Sequence, residues 1–106
     1  MTRGADVVPN ELPDIAHPAW LAYLAMRNSK QAHFGFLETL DQKVQQGGVR
    51  TLAERARLDT LLAEHDRCVA EFAPEIKALG AQDADARNTL LRLMTAIEEA
   101  ANEVAQ

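Results

Sequence analysis

VRTLAERARLDTLLAEHDRCVAEFAPEIKALG, residues 49–80, is the stretch that sets the architecture. From Leu58 onward its apolar positions are Leu58, Leu61, Leu62, Cys68, Val69, Phe72, Ile76 and Leu79, with His65 on the same stripe. Steps of three and four trace one face of an α-helix. Arg55, Asp59, Glu64, Asp66, Arg67, Glu71 and Lys77 fill the opposite face. Arg50–Glu54, Arg55–Asp59 and Arg67–Glu71 are opposite charges four residues apart, each contributing a few tenths of a kcal/mol to a helix. Pro74 removes one backbone hydrogen bond and predicts a kink. The stripe stays in phase across it, so the helix is expected to run on and stop at Gly80.

On the N-terminal side, Gly47-Gly48 permits a tight reversal, because glycine adopts positive φ without steric cost. Before it lies a second apolar stripe: Tyr23, Met26, His33, Phe34, Leu37, Leu40 and Val44, with Lys30 set among them. Trp20 and Leu24 fall on one flank of that stripe and Phe36 on the other. Pro18 suits a first helical position, where its missing N–H is harmless. Beyond Gly80, Asp83 and Asp85 place negative charge at the start of a third helix. Its stripe is Ala86, Leu90, Leu93, Met94, Ile97, Ala101 and Val104. Glu98, Glu99 and Glu103 give its far end the wrong sign for a helix C-terminus, so that end frays unless a basic partner covers it.

These patterns predict an all-α chain with helices near 18–46, 50–79 and 83–104. The expected architecture is an antiparallel three-helix bundle over residues 17–106: a long helical hairpin plus a shorter third helix. Residues 1–16 contain Gly4, Pro9 and Pro13 and show no steady period, so a flexible N-terminal arm is expected, with Val7, Val8, Leu12 and Ile15 free to dock.

Composition bounds the function. Much of the apolar 47% is alanine and aromatics are 5%, so a chain of 106 residues has one modest core. A net charge of −5 argues against a nucleic-acid partner, which calls for a basic face. One cysteine excludes an internal disulfide and fits a reducing compartment. No apolar run approaches the ~20 residues of a membrane span, and the first residues lack the basic start and apolar core of a signal peptide. A cytoplasmic protein without a membrane role is expected.

Two groups of residues are candidates for function. At 1.5 Å per residue the first two helices are roughly 45 Å long and the third nearer 35 Å. The hairpin then overhangs as a two-helix tip carrying Leu40, Val44, Val49 and Leu52, the expected partner-binding surface. Over residues 49–56 the apolar positions also swing to the other side of the second helix. The plainer reading is a frayed first turn with scattered surface leucine. The sharper one is a contact surface for another protein or for a second copy, as in a homodimer through the tip.

The second group is His33, His65 and Cys68. His65 and Cys68 are i,i+3 on one face, and folding about the glycines brings His33 level with them. Imidazole and thiolate in one layer suit a soft metal ion, so a metal- or redox-sensing bundle is the alternative function. Free cysteine is also an ordinary core residue, and no paired CxxC spacing occurs. No phosphate loop, HExxH or serine-elbow pattern is present, and no acidic pair converges. The sequence therefore points to a non-catalytic interaction module, an adaptor, chaperone-like partner or assembly subunit, with no cofactor expected.

Overall fold

A computed structural model describes residues 9–105, with side chains to residue 103. The protein is all-α. Among the described residues there is no strand, and the elements are a 3-10 turn Asp14–Ala16 followed by α1 (His17–Gln45), α2 (Leu52–Gln82) and α3 (Ala84–Ala105). None of these helices is long and apolar enough to cross a membrane. The chain divides into two compact units, residues 22–72 and the residues flanking them on both sides.

Within residues 22–72, α1 and α2 run past one another in opposite directions. Tyr23 meets Phe72 with ring centroids 6.4 Å apart. Further along, Ser29 meets His65, and Lys43 meets Glu54 at the turn. As the α1 residue number rises the α2 number falls by nearly as much, which fixes the register. On α2 the inward positions are Glu54, Leu58, Leu61, His65, Cys68 and Phe72, a strict alternation of steps of four and three. Leu62 and Val69, expected in the core stripe, are instead exposed, as is Phe34 on α1. Each of the two α2 residues follows a seam position directly and so sits about 100° further round the helix. The seam is narrow, as in a coiled coil, and a residue one step off it remains in water.

The flanking residues form the other unit. Pro9 to Ala16, expected within a flexible arm, carries regular structure: Leu12 N–H donates to the Pro9 carbonyl at 3.1 Å and Ala16 N–H to the Pro13 carbonyl at 2.9 Å. Pro13 is extended at φ −69° and leads into the 3-10 turn. Leu12, Ala16, Ala19 and Trp20 are buried, as are Leu79, Ala86 and Leu90. Trp20, expected on a flank, is thus a core residue. Asp14, Ile15 and Pro18 share a depression with Glu75, Ala78 and Leu79, and Glu11 shares another with Thr89, Arg92 and Leu93. The N-terminal turn therefore lies beside the end of α2 and the first half of α3. Val7 and Val8 lie outside the described residues, as does the side chain of Val104.

α2 continues unbroken through Pro74. It also passes Gly80, the expected stop, and ends two residues later. Gly80 serves a close approach: a Cβ there would come within 2.9 Å of the Arg87 side chain. The stop is Asp83, whose carboxylate accepts the Ala86 N–H at 3.0 Å and caps α3.

Candidate functional site

The turn between α1 and α2 is closed by local chemistry. Gly47 takes φ +93°, the left-handed conformation that ends α1. Its N–H donates to the Val44 carbonyl at 3.0 Å, and the Gly48 N–H to the Lys43 carbonyl at 2.9 Å. This pair of bonds is a Schellman motif, and a Cβ at Gly48 would lie 2.8 Å from Lys43 Cγ. Both glycines are therefore required, one for its dihedral and one for its space.

α2 opens with a capping box. Thr51 Oγ1 accepts the Glu54 N–H at 3.0 Å, and Glu54 Oε1 accepts the Thr51 N–H at 2.8 Å. Lys43 Nζ donates to the same carboxylate oxygen at 2.7 Å, tying the end of α1 to the start of α2. The Lys43 bond, followed by the Thr51 N–H, holds the Glu54 carboxyl below its ordinary pKa. A second clasp joins Arg50 to Asp41 at 2.6 Å.

On this braced turn, Val44, Val49 and Leu52 are 47%, 73% and 85% exposed. Leu40 corrects the expected surface, because it is 1% exposed and belongs to the core. It lies four residues before Val44 yet falls on the α1 seam, in line with Ser29 three turns earlier. The apolar surface of the tip is therefore Val44, Val49 and Leu52. Leu52 is the first residue of α2 and sits about 160° round the helix from Glu54, so it points away from the seam.

His33, His65 and Cys68 each have neighbours of their own. His65 Nδ1 lies 3.0 Å from Ser29 Oγ, whose own hydrogen is directed to the Met26 carbonyl at 2.8 Å. The imidazole Nδ1–H is thus the donor to Ser29. His33 instead packs against the Phe34 ring, with centroids 5.6 Å apart. Cys68 is buried, its Sγ 3.8 Å from Glu64 Oε1. Arg67 spans Glu64 and Glu71 on the outer face, and its guanidinium holds the Glu64 carboxyl below its ordinary pKa. Among the described residues no three of His, Cys, Asp and Glu come together as a metal set. Ser29 was not legible in the sequence as a partner for His65. A buried hydroxyl within a helix satisfies itself on the carbonyl three residues back, and only the facing helix reveals its second bond.

Comparison with protein-family models, with curated proteins and with solved structures returned no match, so the reading of this chain rests on its own geometry.

Proposed function

We propose that the chain is a non-catalytic interaction module, an antiparallel three-helix bundle of the cytoplasm that uses the α1–α2 tip to hold another protein or a second copy. The observation that carries this reading is Leu52. A leucine 85% exposed at the start of a capped helix, beside Val49 and Val44, forgoes burial worth roughly 1.5–3 kcal/mol. The turn beneath it is braced by two glycines, a capping box and two ion pairs, so the apolar surface is presented on a rigid support. A preformed surface loses little entropy on binding.

Of the three candidate metal ligands, His65 is paired with Ser29, His33 packs on Phe34, and the buried Cys68 thiol lies beside Glu64. The alternative of a metal or redox sensor built on His33, His65 and Cys68 draws no support from that geometry.

The test compares wild type and Leu52→Glu as immobilised baits in extract of the native cell, with helicity followed by circular dichroism. Wild type should retain a defined set of proteins that Leu52→Glu releases at unchanged helicity. Equal retention by both would overturn the tip as the contact surface.

A further inference from the structure

The inference deepens the reading of the tip as a contact surface, on which it rests, by identifying what the tip fits. Residues 41–57 hold two acidic groups, Asp41 and Glu54, and four basic ones, Lys43, Arg50, Arg55 and Arg57. Both acids are already paired within the turn, to Arg50 and Lys43. Arg55 and Arg57 are exposed and make no ion pair among the described residues. Residues 41–57 therefore carry a net +2 on a chain whose total is −5, with Glu38 and Asp59 behind them; Asp59, expected opposite Arg55, makes no ion pair with it. Leu52 and Arg55 are three residues apart and share one face of α2. A tip-to-tip dimer would bring two such +2 patches together, and like charges facing across an interface oppose association.

The complement lies on α3. Leu91, Arg92, Thr95, Ala96 and Glu99 line a shallow groove of about 290 Å³. Leu91 and Ala96 supply apolar walls, and Leu91 is itself exposed. Arg92 is turned toward Thr89 Oγ1 at 3.2 Å and lies about two helical turns from Glu99. Glu99 and, one turn further, Glu103 are exposed and unpaired among the described residues, in a helix with no basic group in its last turn. The carbonyl end of the helix adds negative potential to theirs.

We infer that the tip of one copy docks on the α3 groove of another: Leu52 enters between Leu91 and Ala96, and Arg55 meets Glu99 and Glu103. The contact joins two different surfaces. It closes into a dimer if the two copies engage reciprocally and otherwise extends as a chain. It also supplies the basic partner that the acidic end of α3 lacks.

The test is sedimentation of the full chain over a range of concentrations at about 20 mM and about 500 mM salt, chosen to lengthen and then collapse the range of charge interactions. Wild type should associate at low salt and dissociate at high salt. Arg55→Glu and Glu99→Arg should each weaken self-association about tenfold or more, since each sets like charges face to face. Mixing the two variants should restore it. One contact between them then pairs the unaltered Arg55 with the unaltered Glu99, and the reciprocal contact pairs the two substituted side chains with their charges exchanged. Wild type that stays monomeric at both salts overturns the inference, even where Leu52→Glu still releases proteins from extract and so sustains the broader reading. Glu99→Arg that associates like wild type overturns it too, and places the contact elsewhere.

Discussion

Leu40 and Leu52 are the same residue type on adjoining helices, yet one is 1% exposed and the other 85%. The difference is angular. Leu40 lies eleven residues, or three turns, from Ser29 and on the same line of α1, which faces α2, whereas Leu52 sits outside the seam of Glu54, Leu58 and Leu61. Truncation should separate them. Leu40→Ala leaves a cavity and should cost about 2–5 kcal/mol. Leu52→Ala removes little burial and should stay within about 0.5 kcal/mol of wild type. Urea denaturation of the two variants reads the difference, and equal losses would mean that Leu52 has a place in the core of a single chain.

At the scale of elements, Glu54 ties together the two sides of the turn between α1 and α2. Its carboxylate accepts from both Thr51 N–H and Lys43 Nζ. Those bonds lower its pKa in the folded chain from an ordinary 4.5, so the unfolded state takes up a proton first as pH falls. The stability contributed by ionised Glu54 is full above 4.5 and is lost as pH drops through the lowered folded value. Glu54→Gln lacks that charge at every pH. The melting temperature of wild type should therefore exceed that of Glu54→Gln near pH 7, and the gap should narrow toward about pH 3. A gap that stays constant would show that the carboxylate's charge is not what braces the turn. At the other junction the stop lies at Asp83 instead of Gly80 for a similar reason. A side chain able to accept an orphan N–H ends one helix and begins the next within a single residue.

At the scale of the molecule, the N-terminal residues from Pro9 onward belong to the folded protein. Leu12 is 5% exposed and Ala16 is fully buried. A chain beginning at His17 should lose roughly 2–3 kcal/mol, the burial of one leucine with a smaller term for alanine. Thermal and urea unfolding of the shortened chain test this, and an unchanged midpoint would return the segment to the status of an arm. The proposed association through Leu52 and the α3 groove belongs to the same scale, since it joins the acidic end of one helix to the basic turn of another copy.

The helical class, the three helices, the turn after α1 and the start of α3 follow from the order of amino acids alone. Each is set by interactions within a few residues: stripes at steps of three and four, glycine at the turn, and aspartate before α3. The bounds at Gln45 and Ala84 lie within a residue of those expected. Which members of a stripe are buried was not legible there, because a stripe covers more of the helix than one neighbour can. It takes the facing helix to turn Leu61 and Cys68 inward while Leu62 and Val69 stay in water. The same holds for Ser29 with His65, for the burial of Leu12, and for the continuation of α2 past Gly80. Each depends on a group distant in sequence or on the space it occupies, and local periodicity carries no record of that distance.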